Sequence, residues 1–202
     1  MKLLAWNIQH GGGTRLARIG EEISAYDPDV IAVTEFRARP GVALCTAMKE
    51  RGLPHVETTH PAKNQNGIAV FSHTPMRRTR PCPAPSADRV RWLDIDLPGH
   101  GFGIGVLHFR AAGSSNKHPT NGAKTRFWEV VLQTAESRLQ EPFLFVGIGI
   151  RALTGWTRPA DVRMRRALRQ VVDVGLDGCL AASHPRNHGV YVVLEPEGRR
   201  AR

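Results

Sequence analysis

Two short apolar runs near the N-terminus, each ending in a polar residue, constrain the fold of this chain more than any other feature. The first is MKLLAWNIQH, residues 1–10, and the second is PDVIAVTEFR, residues 28–37. Between them lie three consecutive glycines and a segment ending at Tyr26 whose apolar residues recur at helical spacing. A strand, a helix and a second strand connected in this way make parallel neighbours in one sheet. The two runs therefore bring Asn7 and Glu35 to the same sheet edge.

The rest of the chain continues with alternating elements as far as Gly147. The pattern predicts a helix, four largely antiparallel strands, a second helix and a further buried strand, over residues 41–51, 55–59, 67–72, 90–97, 102–109, 124–139 and 143–146. Residues 148–202 differ, because they contain ten arginines and no lysine and show no readable strand pattern. One helix, at 161–174, is predicted there.

The net charge has two explanations that the sequence leaves open. The chain of 202 residues is long enough for one domain with a core, and its formal net charge is +10. Lys and Arg favour a partner that carries phosphates, because they displace its counterions. A GC-rich genome gives the same arginine-rich composition without any selection for binding.

The cysteines and the hydropathy pattern indicate a cytoplasmic protein. Cys45, Cys82 and Cys179 are an odd number without metal-binding spacing, so neither a disulfide framework nor a zinc site is expected. The first apolar run is too short for the core of a signal peptide, and no run approaches the length of a membrane span. We therefore expect no membrane partner.

Four residues could together handle a metal and a phosphate. Asn7 and Glu35, at adjacent strand ends, offer the hard oxygen ligands that Mg²⁺ prefers. Arg37 lies two positions beyond Glu35, on the same side of an extended strand, and could hold a phosphate. His108 ends its own strand and could donate a hydrogen bond or a proton to a phosphoryl oxygen.

Each of these residues also has a purely structural explanation. Asn7 could cap the junction between strand and loop, and Glu35 and Arg37 could form a surface ion pair. An isolated histidine such as His108 is more often packed or solvated than catalytic.

The order of the motifs resembles the endonuclease/exonuclease/phosphatase superfamily, which includes pancreatic deoxyribonuclease and the abasic-site endonucleases. The motifs that carry the resemblance span residues 1–147 and are, in chain order, WNIQHGGG, PDVIAVTEFR, NGIAVFS, VLHF and FLFVG. The resemblance implies an α/β fold, a deoxyribonuclease I-like sandwich of two sheets with helices outside. It also implies a hydrolase that uses Mg²⁺ or Mn²⁺ on nucleic acid or another phosphodiester, with no obligate protein partner.

The resemblance also assigns roles to the four residues. Glu35 would bind the metal, and Asn7 would orient the phosphate or the metal as part of the catalytic site. Arg37 and His108 would contact the scissile phosphate, with His108 as a catalytic residue. A metal-held water would attack in line.

The chain departs from the family directly after the last matched strand. The family has a GDxN motif there, whose Asp activates or orients the water and whose Asn holds the phosphate. Here the residues are Gly147, Ile148, Gly149 and Ile150. The family's later Asp and His also have no counterpart. We therefore divide the chain into an incomplete family domain, residues 1–147, and an arginine-rich tail outside the family pattern, residues 148–202.

The departure resembles the product of a reading-frame shift. With permitted codons and one added G, the codons of residues 148–156 re-read as DWNTGAHRL, which restores GDxN after Gly147. Residues 162–185 re-read in a different frame as family-like sequence. The alternative is a genuinely diverged C-terminal segment.

Two functions follow. One is a metal-dependent phosphoesterase that is inactive or crippled, in effect a pseudoenzyme. The other is a non-catalytic basic protein that binds nucleic acid through its arginine-rich tail.

Overall fold

The first two strands form the parallel pair that the sequence predicts. The computed structural model describes residues 1–78, 80–109, 119–148, 179–183 and 190–194. Within them β1 (Lys2–Asn7) and β2 (Val30–Phe36) run side by side, with Asn7 level with Thr34. Both are almost continuously buried, because each is covered on both faces. Their carboxyl ends meet at one edge of the sheet.

A six-stranded sheet is built around this pair. Its order is β3 (His55–Thr58), β4 (Gly67–Ser72), β2, β1, β9 (Val190–Leu194), β8 (Cys179–Ser183). The antiparallel pairing of β3 with β4 and of β4 with β2 agrees with the sequence. Strands β8 and β9 lie in the segment where the sequence showed no readable strands, and β9 pairs antiparallel with β1. The helix predicted at 161–174 lies outside the described residues.

A three-stranded sheet contributes the other half of the fold. Its strands are β5 (Trp92–Leu97), β6 (Phe102–His108) and β7 (Phe143–Ile148), with β6 in the middle. Strand β6 is antiparallel to β5 and parallel to β7. The carboxyl ends of β6 and β7 therefore lie at the same edge of this sheet.

The helices differ from the predicted ones mainly in where they begin. They are α1 (Leu16–Tyr26), α2 (Ala38–Glu50) and α3 (Pro119–Ser137). Short 3₁₀ turns form at Gly13–Arg15, Ser86–Arg91 and Pro98–His100. Helix α2 begins three residues earlier than predicted, so the extended residue before it is Arg37.

Three apolar clusters hold the layers together and give the expected two-sheet α/β sandwich. The cluster between the sheets joins side chains such as Ala32 of β2 and Val106 of β6. A second cluster packs α1 and α2 on the outer face of the six-stranded sheet. A third packs α3 on the outer face of the three-stranded sheet, where Phe109 stacks on Trp128 with ring centroids 4.0 Å apart.

The outer face of the three-stranded sheet also buries an ion pair. Arg138 Nη2 donates to Asp94 Oδ2 at 2.6 Å, and Trp92 Nε1 donates to Asp94 Oδ1 at 2.6 Å. Both charged side chains are at least nine-tenths buried. A buried charge is tolerated only when it is paired and hydrogen-bonded, so Asp94 fixes the packing of this face.

No helix in the described part of the chain is both long enough and apolar enough to span a membrane.

Candidate functional site

Glu35 lies at a β-bulge at the end of β2. The register with β4 passes from the pair Thr34–Ile68 to the pair Phe36–Gly67, so Glu35 is the extra residue. Its φ is +59°, in the left-handed region that side chains other than glycine rarely adopt. Gly11 N donates to the Glu35 carbonyl at 2.8 Å and helps to hold this conformation. Backbone strain of this kind costs about 1–3 kcal/mol and persists where the surroundings over-determine it.

The Glu35 carboxylate is held by donors from both neighbouring strands. Asn7 Nδ2 donates to Oε1 at 3.0 Å, while the backbone N–H of His10 donates to Oε2 at 2.8 Å. Asn66 Nδ2 also donates to Oε2, at 3.1 Å. The side chain is 15% exposed, so these charge-assisted bonds are partly shielded from water.

These surroundings keep Glu35 ionised. The His108 imidazole beside it lowers the pKa of Glu35 most, against the opposing effect of burial, and the Asn7 and His10 donors lower the pKa further. The pKa falls from 4.5 to about 2. Glu35 is therefore an anion throughout the physiological range and a suitable ligand for a cation.

The loop after β1 is closely fitted against the strand that carries Glu35. Residues 9–13 all have positive φ, between +52° and +83°. Gln9 N donates to Asn7 Oδ1 at 2.8 Å, which fixes the amide of Asn7. Gly11 lies so close to α2 that a Cβ there would be 2.9 Å from Pro40 Cγ. The glycine run therefore allows the loop to bring the His10 N–H to Glu35.

Asn66 connects Glu35 to Arg37 on one side of the site. Arg37 Nε donates to Asn66 Oδ1 at 2.7 Å, and Arg37 Nη2 is 3.2 Å from His10 Nδ1. Asn66 Nδ2 is also 3.2 Å from His10 Nδ1. Within the described residues no ion pair joins Arg37 to Glu35 directly, so the two are linked through Asn66.

His108 approaches Glu35 from the other sheet. Its Nε2 is 3.7 Å from Glu35 Oε1, and its Nδ1 is 3.5 Å from Arg91 Nη1. Arg91 Nε in turn is 3.7 Å from Asp88 Oδ1. The described part of the site is therefore a chain of polar contacts from Arg37 through Glu35 to Arg91, crossing from one sheet to the other.

The end of β7 lies beside His108. Ile148 is level with His108 in the parallel pairing of β7 with β6. A residue at this register position ends at the same edge of the three-stranded sheet as His108. The chain thus supplies an isoleucine at the strand position where a proton acceptor or metal ligand would be useful.

The residues present fit a divalent cation held by one carboxylate. Among the described residues, no group of three or more His, Cys, Asp or Glu could hold a metal ion together. Mg²⁺ binds through one or two carboxylates, with waters and substrate phosphates as its other ligands. Glu35 is ionised, and its Oε1 accepts one hydrogen bond of normal length, from Asn7. Glu35 would therefore supply one carboxylate ligand to such a cation.

The structure brings together all four residues that the sequence singled out. Asn7 contacts Glu35 directly, His108 lies beside it, and Arg37 reaches it through a third residue. Sequence reasoning placed Arg37 on the strand two positions beyond Glu35, whereas β2 ends at Phe36 and Arg37 is the residue before α2. Their functional roles stay predictions.

Three further groups of the site were missed. In the sequence, Asn66 begins the NGIAVFS motif, His10 ends the first apolar run and Arg91 lies in the strand predicted at 90–97. A signal existed for Asn66, because it directly precedes β4, which neighbours β2. Arg91 has no comparable signal. It directly precedes β5 of the other sheet, and it meets His108 only in the folded chain.

Comparison with known proteins gives the family and the fold. The profile of the Endonuclease/Exonuclease/phosphatase family matches residues 4–186, most of the chain. No curated protein sequence matches.

Several solved structures are similar over nearly the whole chain. One is an AP endonuclease from Archaeoglobus fulgidus, with a TM-score of 0.63 at 13% identity. Two others are from Neisseria: a 3′ phosphatase (NExo) bound to a product DNA hairpin, with a TM-score of 0.65, and the Neisseria meningitidis 3′-5′ exonuclease (NExo), with a TM-score of 0.62, each at 14% identity. Each comparison covers 96% of this chain and 86% of the other. At these identities the likeness establishes the fold.

Proposed function

The chain belongs to the endonuclease/exonuclease/phosphatase family, and on that premise we propose that its Glu35 site binds a divalent metal and a phosphodiester but hydrolyses it weakly or not at all. The observation that carries the proposal is the contrast at the sheet edges. One edge offers an ionised carboxylate held by three donors, and the other offers Ile148 beside His108.

The binding half of the reaction has its residues in place. Glu35 would hold Mg²⁺ or Mn²⁺ through Oε1, and Asn7 would keep the carboxylate in that orientation. Arg37 would bind a phosphate oxygen, since guanidinium groups match phosphate geometry. The metal, when bound, supplies charge neutralisation and an acidified water.

At the end of β7, level with His108, the chain has no residue that could accept a proton. Neither Ile148 nor Ile150 can take a proton from water or bind a metal. His108 faces Glu35 with Nε2, so it is placed to donate to an oxyanion rather than to activate a water. A positioned general base typically contributes about 10²–10⁴ in rate, and this contribution is missing.

The proposed substrate is nucleic acid or another phosphodiester. The similar structures include an AP endonuclease, and a 3′ phosphatase that is bound to a product DNA hairpin. The net charge of +10 favours a polyanion. A cytoplasmic location and the boundary at Gly147 stay predictions, and the family match extends past that boundary to residue 186.

Hydrolysis assays test the proposal directly. We expect little or no Mg²⁺- or Mn²⁺-dependent cleavage of plasmid, abasic-site DNA or a phosphodiester dye, together with measurable metal binding by calorimetry that Glu35→Gln removes. Robust cleavage that Glu35→Ala abolishes would show that the site is intact and would overturn the proposed loss.

A gain-of-function pair provides the sharper experiment. Ile148→Asp with Ile150→Asn restores the family's acid and amide, and we expect a measurable increase in metal-dependent hydrolysis. Ile148→Leu with Ile150→Leu is the matched control and should leave hydrolysis unchanged. Equal rates in both double variants would indicate that more than this motif is missing.

Binding without cleavage is the second candidate function. It is favoured by Arg37 and Arg91, which lie at opposite ends of the chain of contacts through Glu35. The sequence analysis assigned such binding to the arginine-rich tail. Deleting residues 151–202 separates the two: salt-dependent DNA binding that persists after this deletion would count against the tail.

A further inference from the structure

We propose that Asn66 is a positioning residue that orients Arg37 and His10 into one phosphate-binding pair beside Glu35. The inference deepens the proposed function and rests on it, because it names residues that hold the phosphodiester next to the metal ligand. Asn66 touches neither the reacting atoms nor the metal in this arrangement, and it acts through its neighbours.

Both ends of the Asn66 amide have hydrogen-bond partners, and the orientation of the amide follows from them. Oδ1 accepts from Arg37 Nε at 2.7 Å, and an arginine nitrogen can only donate. Nδ2 must therefore be the end that faces Glu35 Oε2, 3.1 Å away. The opposite orientation would place an oxygen against the carboxylate and an N–H against the guanidinium. The network itself assigns the amide.

The same network fixes the tautomer of His10. Its Nδ1 lies 3.2 Å from Asn66 Nδ2 and 3.2 Å from Arg37 Nη2. Nδ1 also lies 3.5 Å from the acceptor Glu35 Oε2. Because its two nearer neighbours can only donate, Nδ1 is assigned as their acceptor and a ring proton is placed on Nε2. The His10 side chain is 72% exposed, and Nε2 has no partner among the residues that the structure describes. His10 therefore presents its Nε2–H donor to solvent.

Arg37 has a further nitrogen, Nη1, that could donate to a ligand. Two of its nitrogens are taken, Nε by Asn66 and Nη2 by His10. Nη1 makes no hydrogen bond within residues 1–78, 80–109 and 119–148. A guanidinium held against an imidazole by these hydrogen bonds would offer a phosphate oxygen donors from both groups, with less ordering needed when the ligand binds.

Asn66 also separates the arginine from the carboxylate. A direct Arg37–Glu35 ion pair would occupy both the metal ligand and the phosphate ligand. With the amide between them, Arg37 does not neutralise Glu35 directly, so the carboxylate charge remains available to a metal and Arg37 Nη1 to a phosphate. The arrangement suits a phosphodiester, because its negatively charged oxygens could bind the metal and Arg37 at the same time.

The first test needs neither metal nor catalysis. ¹⁵N NMR of the histidine rings, with His10 assigned by its loss in His10→Gln, should show the proton on Nε2 in the intact chain. In Asn66→Ala, Nδ1 loses one donor and this preference should weaken. An unchanged His10 signal in a folded Asn66→Ala variant would overturn the proposal.

The second test measures binding of a short single-stranded oligothymidylate in the presence of a chelator. Asn66→Asp still accepts from Arg37 but cannot donate to Glu35 or His10, and Asn64→Asp makes the same charge change two residues away. We expect affinity to fall about fivefold in Asn66→Asp relative to Asn64→Asp. Equal affinities for the two variants would contradict the positioning role.

A double-mutant cycle separates positioning from general stability. Asn66→Ala should lower affinity in the intact chain but change it little when Arg37→Ala is already present. Equal losses in both backgrounds would mean that Asn66 does not act through Arg37.

The three results also distinguish the positioning role of Asn66 from the proposed function of the whole site. An inactive chain with the expected His10 tautomer and coupling leaves the positioning role standing, whereas an active chain indifferent to Asn66→Ala loses it.

Discussion

The two sheets contribute unequal halves to the same site. The six-stranded sheet holds Glu35, Asn66 and Arg37 with hydrogen bonds between 2.7 and 3.1 Å. In the described part of the chain, the three-stranded sheet reaches Glu35 through His108, at 3.7 Å, and His108 meets Arg91 at 3.5 Å. Contacts of that length are weak hydrogen bonds at most. The residues of the six-stranded sheet are therefore preorganised, whereas those of the three-stranded sheet lie near the site with longer and weaker contacts to it.

The difference suggests what each half can do alone. A preorganised carboxylate and arginine can bind a metal and a phosphate without further contributions from the fold. Hydrolysis needs a base and a fixed water as well, and these would have to come from the strand ends of the three-stranded sheet. The weaker half is also the one whose strand β7 ends in Ile148, level with His108.

The largest expected effect concerns how the three-stranded sheet is held together. Asp94→Ala removes the partner of the buried Arg138 and of the Trp92 indole. An uncompensated buried charge costs about 3–5 kcal/mol of unfolding free energy, which chemical denaturation would measure. Asp94→Asn keeps an acceptor and should cost less. If the two variants are equally stable, the ion pair does not fasten this sheet.

The next effect tests how firmly the donors around Glu35, from His108 of one sheet and from Asn7 and His10 of the other, hold its carboxylate as an anion. Its pKa is about 2 in the folded chain and 4.5 in the reference state, so its stabilisation is present above pH 4.5 and disappears as the pH falls through 2. We expect the stability difference between the wild type and Glu35→Gln, measured with a chelator present, to shrink over that range by on the order of 3 kcal/mol. A constant difference would show that Glu35 is not held as an anion.

A glycine pair tests the loop that brings His10 to Glu35. Gly11→Ala would place a Cβ 2.9 Å from Pro40 Cγ, whereas Gly13→Ala meets nothing within 4 Å. Both have positive φ, so both lose about 1 kcal/mol from backbone strain. The overlap should raise the loss for Gly11→Ala to about 2 kcal/mol in thermal or chemical unfolding. Equal losses would mean that the loop moves away from α2 at no cost.

The smallest effect compares the two arginines directly. Arg37→Lys loses the guanidinium contacts to Asn66 and His10, and it should weaken oligothymidylate binding about fivefold. Arg91→Lys loses looser contacts to His108 and Asp88, and about a twofold change is expected. A larger loss for Arg91→Lys would reverse the order of the two halves.

Much of this molecule could be predicted from residues 1–37 and the strand patterns up to residue 147. The parallel pair β1–β2, the antiparallel middle portion and the two-sheet α/β sandwich are confirmed. These follow from local spacing, because apolar periodicity and turn residues are properties of short windows. The strand ends at Asn7, Glu35 and His108 could be read in the same way.

The contacts inside the site could not be predicted in this way. The bulge at Glu35 interrupts the alternation of side chains along the strand. The two-residue period of a strand therefore does not give the position of Arg37. Asn66 and His10 become partners of Glu35 only when β4 and the glycine loop close around β2. The approach of His108 depends on how one sheet packs on the other. Sequence thus determined which residues end the strands, and tertiary structure decided which of them meet, because hydrogen bonds between distant segments depend on packing angles and register that no local pattern encodes.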